Sequence, residues 1–177
     1  MWPGALLEYL PDPVVPFSGS RFFQRLRLTI DPNGTAILGE VLLPGRVGRG
    51  ELHAYDVYWA ETEAFAPDGR LLFADVLRLC PRERGPSSLA LLGGRDVVAT
   101  LYVVSRKREP SELVELLRET LVGDEVLAGV SELPNSCGVS VRLLGATSKA
   151  VRRVLTEAWS AVRLALLGAP VPELRKG

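Results

Sequence analysis

Histidine and cysteine are nearly missing: one histidine, His53, and two cysteines, Cys80 and Cys137, occur in 177 residues. A tight transition-metal site draws on several His or Cys ligands, so a resident metal cofactor is not expected. The two cysteines lie far apart without a Cys-x-x-Cys motif, which fits buried, reduced thiols in a cytoplasmic protein rather than a disulfide framework. A basic excess is missing as well. The 21 basic and 21 acidic residues cancel, and the short Arg106-Lys107-Arg108 run makes no stripe, so no nucleic-acid partner is expected. Nothing approaches the ~20 apolar residues of a membrane helix, and Met1-Trp2-Pro3-Gly4 lacks the charged start of a signal peptide. Gly93-Gly94 lacks the following Lys-Ser/Thr of a phosphate loop. No nucleophile motif is present. The expectation is a soluble cytoplasmic domain with no membrane contact.

What is present is a chain of strand signals. Ala5–Leu10 is a short apolar segment that stops at Pro11-Asp12-Pro13, which confines it to an edge or an irregular loop. In Arg25–Ile30, Leu26, Leu28 and Ile30 alternate with Arg25, Arg27 and Thr29, the pattern of a half-buried strand. Asp31-Pro32-Asn33-Gly34 is a turn, and Thr35–Leu43 is expected to return as the antiparallel partner. Gly45–Gly50 is too glycine-rich for regular structure. Glu51–Ala66 and Arg70–Leu79 read as a hairpin closed by Pro67-Asp68-Gly69. The Pro81–Gly94 stretch reads as a polar contact loop, and Val97–Ser105 as another apolar strand.

Ser111 is expected to cap a helix over Glu112–Val122. Two short apolar segments follow, Val126–Leu133 and Val139–Leu144. From Ser148, Val151, Val154, Leu155, Ala158, Trp159, Val162 and Leu166 follow helical spacing, ended by Gly168 and Pro170. The opposite face carries Arg152, Arg153, Glu157 and Arg163, and the three arginines are candidates for partner binding. The fold class expected from these patterns is mainly β (α+β), with antiparallel sheets and two C-terminal helices.

The candidate functional residues are acids set in apolar strands. Glu40, between Leu38 and Val41, must be paired, solvated or functional, because burying a bare carboxylate is costly. Asp75, in LLFADVLRL, presents the same choice. Hard oxygen ligands bind a metal ion loosely enough to release it, so both are candidate transient contacts; the alternatives are an exposed strand-face acid at either position or, for Glu40, a partner of Arg46. Arg46 and Glu51 flank the glycine turn and are expected to hold it, by an ion pair or a backbone contact. Glu8 is expected to be structural. An acid/base set of Glu40, Glu51 and Asp75 would serve a hydrolase, but no supporting signature accompanies it. A generic β-rich interaction module is a further alternative.

Several stretches in order resemble the UreD (UreH) urease accessory proteins: LEYLPDPVVPFSGSRFFQ (7–24), GEVLLPGRVGRGE (39–51), DGRLLFADVLRLCP (68–81) and VSVRLLGATSKAVRRVLTEAWSAVRLALLGAPVPELRKG (139–177). The resemblance implies a flattened, β-helix-like stack of sheets in a single UreD-like domain over residues 1–177. The family's N-terminal β-rich portion has no counterpart here, and the tail lacks the family's aromatic end, so an N-terminally truncated domain is expected. The implied role is a non-enzymatic scaffold or chaperone in urease metallocentre assembly. UreF-like and UreG-like proteins and urease apoprotein are the implied partners. Nickel is implied in transit through an internal passage, with Asp75 at an acidic position on that path. Glu40 and Asp75 are therefore expected to face one polar interior.

Overall fold

The computed structural model describes residues 1–83 and 92–172. Its elements in chain order are β1 (Leu6–Tyr9), β2 (Arg21–Thr29), β3 (Thr35–Leu42), β4 (Val57–Phe65), β5 (Leu71–Leu79), β6 (Val97–Ser105), α1 (Pro110–Thr120), β7 (Val126–Glu132), β8 (Gly138–Gly145) and α2 (Ser148–Leu167). The strands form a five-stranded sheet in the order β1-β3-β6-β8-β7 and a three-stranded sheet in the order β2-β4-β5. The mainly β class with two helices holds.

The expected β2–β3 hairpin does not form. Asp31–Gly34 does turn, with the Gly34 amide donating to the Asp31 carbonyl at 2.9 Å, but it carries the chain from one sheet to the other. Burial explains this. Strand β2 alternates between exposed and covered positions, whereas β3 is buried at every position except Glu40. A strand covered on both faces belongs in a middle layer, and one with a single apolar face belongs outside it. The first four strands therefore alternate between sheets, with β1 parallel to β3 and β2 parallel to β4. This is two turns of a flattened coil. The expected β4–β5 hairpin is present, with its register shift at Ala64/Phe65.

Three layers result. Odd-numbered positions such as Ile37, Leu101, Val103, Val141 and Leu143 face the helices, where they meet Leu113, Leu117, Val151, Ala158 and Val162. Even-numbered positions on the same strands face the three-stranded sheet. Strand β6, central in its sheet, is buried at all nine positions, which accounts for its unbroken apolar sequence. Helix α2 starts at the Thr147 cap, whose hydroxyl accepts from the Ala150 amide at 3.2 Å, and ends at Gly168 with φ 64°. Helix α1 starts one residue before the expected Ser111 cap, on Pro110 at the first turn. Proline suits that position because its missing N–H has no intrahelical partner there.

Candidate functional site

Even-numbered positions of β3, β6 and β8 project into the space between the sheets, and three polar ones stand in one row. Glu40 is opposite Thr100, and Thr100 is opposite Arg142. From the other sheet, Gln24 on β2 and the facing pair Thr62 and Asp75 on β4 and β5 project toward them. The contacts cross the gap. The Gln24 amide donates to Glu40 Oε2 at 3.2 Å. Arg142 Nη2 donates to Asp75 Oδ2 at 2.6 Å, and the Tyr102 hydroxyl donates to the same oxygen.

This polar belt divides the inter-sheet core. On one side lies an apolar cluster including Leu28, Ala36, Leu38, Ala64 and Phe73. On the other lies a second cluster including Leu42, Tyr58, Ala60, Leu79 and Val98. A narrow cleft opens against the belt, lined by Tyr9, Gln24, Leu38, Glu40, Thr62 and Tyr102. Glu40 Oε1 is buried there without a hydrogen-bond partner. Burial raises the Glu40 carboxyl above the usual carboxylate range, against the opposing pull of the Arg142 charge and the Gln24 amide. Burial, and then the hydrogen bond to Asp75, push the Tyr102 phenol well above its ordinary value, so it stays a donor.

Glu40 and Asp75 thus both enter the inter-sheet space, but their environments differ. Asp75 is held by Arg142 and Tyr102, whereas Glu40 keeps one oxygen free of partners. Gln24, Tyr102 and Arg142 were not singled out from sequence. The available signal was period-two alternation: Arg142 and Tyr102 occupy the even positions of strands whose odd positions are apolar.

Arg46, Glu51 and Glu8 stand in structural pairs. Arg46 donates twice to Glu51, through Nε at 2.8 Å and through Nη2, and it stacks 4.2 Å over the Phe17 ring. The Ser18 amide also donates to Glu51, and the Arg46 hydrogen bond leads in holding that carboxyl below its usual range. A carboxylate engaged in this way is a poor proton donor. Gly45 in this turn has φ 131°, and a Cβ there would stand 2.6 Å from the Glu51 carbonyl oxygen. Glu8 accepts from the Trp159 indole at 2.7 Å and from Arg163.

Arg163 is therefore a correction to the arginine face. Its side chain is only 11% exposed and is folded onto Glu8 and the Pro170 carbonyl, because β1 crosses beside that face of α2. Arg152 and Arg153 are exposed; Arg153 pairs with Glu125 and Glu157. His53 pairs with Asp96 at 3.0 Å, and Cys80 and Cys137 are buried free thiols. Among the described residues no group of three His, Cys, Asp or Glu side chains is placed to hold a metal. No described helix is long and apolar enough to cross a membrane. Residues 84–91 of the expected contact loop lie outside the described residues.

The model of the UreD urease accessory protein family matches residues 2–176. A protein named urease accessory protein UreD 2 from Streptomyces griseus subsp. griseus is 42% identical over 98% of this chain and 60% of its own length. Proteins named urease accessory protein UreD from Haloarcula marismortui and Cenarchaeum symbiosum are each 35% identical over 98% of this chain, covering 58% and 61% of their own lengths. The chain thus spans about 60% of the length of these curated relatives.

Proposed function

Because the chain belongs to the UreD family of urease accessory proteins, we propose that it serves urease maturation as a non-enzymatic scaffold past which nickel is handed to urease apoprotein. The proposal includes UreF-like and UreG-like partners and a nickel path between the two sheets. The observation that carries it is the unpartnered, buried Oε1 of Glu40 on the polar belt. An oxygen left without a donor in a low-dielectric space attracts a cation, and one carboxylate with water ligands binds a divalent ion loosely.

Each residue has a distinct part. Gln24 holds Oε2 of Glu40 and so leaves Oε1 for the ion. The raised carboxyl releases its proton when the ion approaches, because the positive charge favours the ionised form. Asp75, its Oδ2 occupied by Arg142 and Tyr102, forms the neutral end of the belt and does not ligate the ion through that oxygen in this arrangement. Nickel is cargo here, and weak contacts are what a carrier needs.

The test replaces Glu40 with Ala, and separately Asp75 with Ala, in cells producing urease and its accessory proteins. Nickel content and urease activity fall in the Glu40→Ala variant while pull-down of the accessory complex is unchanged. Full nickel loading by that variant removes Glu40 from the path.

A further inference from the structure

The three-stranded sheet has one covered side and one bare side. The two α-helices pack on β6, β7 and β8 of the other sheet, which leaves the outer side of β2, β4 and β5 without a helix among the described residues. Odd-numbered positions of β2 and β4 and even-numbered positions of β5 project outward there. A solvated sheet face is ordinarily polar, but the middle of this one is not. Phe23 on β2 is opposite Trp59 on β4, and Val76 on β5 is diagonal to Trp59, within reach of an aromatic ring. Phe23 is 68% exposed and Val76 46%. Exposed aromatic residues fixed on strands and ringed by arginine have the composition of an interface centre.

The charges around this centre do not balance. Arg25 is matched by Glu61 and Glu63, Arg78 by Glu83, and Arg21 and Arg82 share Asp56. Arg27, also exposed on β2, makes no ion pair among the described residues; its guanidinium lies 4.2 Å over the Phe65 ring. Five arginines against four carboxylates leave one positive charge over. A guanidinium stacked on a ring keeps its N–H donors in its own plane, free for bidentate contact with a carboxylate. A two-fold contact of this face with itself would set one surplus positive charge against another, which disfavours a second copy as the occupant.

We propose that the outer face of β2, β4 and β5 docks a partner protein that presents an apolar knob to Phe23, Trp59 and Val76 and a carboxylate to Arg27. This rests on the reading of the chain as a maturation scaffold and adds to it a second side, opposite the helix layer that carries Arg152 and Arg153. The inward residues of the same three strands, Gln24, Thr62 and Asp75, belong to the polar belt, so a protein docked here stands one sheet away from Glu40. A scaffold that hands an ion onward holds the acceptor close by, which makes urease apoprotein the probe.

The experiment measures binding of urease apoprotein to the immobilised 177-residue chain by biolayer interferometry at about 0.15 M salt, with circular dichroism confirming the fold of each variant. Phe23→Ser and Arg27→Glu each weaken binding at least about tenfold, the loss of one central interface side chain. Lys149→Glu, exposed on α2 at the other side of the molecule, binds as wild type. If Phe23→Ser or Arg27→Glu does not fold, Val76→Asp decides in its place.

Wild-type affinity in the face variants overturns the inference, and so does a wild-type chain that does not retain urease apoprotein. An equal loss in Lys149→Glu overturns it as well, because general charge attraction then replaces a defined face. A wild-type dimer in light scattering that Phe23→Ser abolishes gives the face to a second copy instead. Failure of the functional reading is a separate result: the face variants would lose urease apoprotein while Glu40→Ala still loaded urease with nickel in full.

Discussion

Glu8 provides a test of how the three layers are tied together. It lies on β1, a four-residue edge strand, and reaches helix α2 on the far side of its own sheet. Its oxygens accept from the Trp159 indole at 2.7 Å and from Arg163, and the two charged side chains are 17% and 11% exposed. Glu8→Ala strands a nearly buried guanidinium and an indole N–H at once. Breaking a buried pair by removing one partner costs roughly 3–5 kcal/mol. The Pro170 carbonyl still holds Arg163 Nε at 3.0 Å, which moves the expected loss to the lower end, about 3 kcal/mol. For a domain of this size that is a fall of about 6–12 °C in Tm. Thermal unfolding followed by circular dichroism measures it. Arg163→Met alone should be comparably harmful, and the double variant should be far less harmful than the sum, because removing both charges leaves nothing uncompensated. A Glu8→Ala Tm within about 2 °C of wild type, or simple additivity in the cycle, refutes the argument.

Gly138 has φ 144°, and a Cβ there would stand 1.8 Å from the Val103 carbonyl oxygen. Gly138→Ala should therefore lose at least about 3 kcal/mol in chemical denaturation. Reversing charge at Arg152 and Arg153, both exposed on α2, should weaken a pull-down with a UreF-like protein and leave the circular dichroism spectrum unchanged; undiminished capture removes them from the interface. Glu40→Gln should raise Tm at about pH 7 and make no difference near pH 3, below the ordinary glutamate range.

Most elements were readable because their signals are local. The α2 stripe from Val151 to Leu166, the Pro67-Asp68-Gly69 hairpin and the apolar run of β6 each depend on residues a few positions apart. The sheet assignment of β3 was not readable that way. Asp31-Pro32-Asn33-Gly34 has the composition of a hairpin turn, and composition is blind to whether the next strand joins the same sheet or crosses to another. The deciding fact is that Thr35–Leu42 is apolar on both faces, which requires a cover on each side. Arg163 was misplaced for a related reason. Helical spacing defines one apolar stripe on α2, but β1 packs beside that stripe, and the carboxylate that neutralises Arg163 comes with it from 155 positions away in sequence.

The polar belt was half legible. Glu40 and Asp75 stand out as acids in apolar strands, whereas the groups that distinguish them lie on other strands. Asp75 is neutralised by Arg142 and Tyr102, and Glu8 by Trp159 and Arg163; Glu40 has one amide and a bare oxygen. The sign of the Glu40 effect follows from burial. Its folded carboxyl holds a proton at pH values where the unfolded chain has released it. The ionised form therefore destabilises the fold, increasingly as pH rises through the folded value, and contributes nothing below the unfolded one. A neutral glutamine of the same shape escapes that cost and still meets the Gln24 amide. If the substitution stabilises the protein at neutral pH yet impairs nickel loading, Glu40 is retained against stability, as expected of a residue kept for the ion it meets. A Glu40→Gln variant that is less stable at neutral pH would instead make the carboxylate a structural partner of Gln24 and Arg142, and the belt an ordinary buried network.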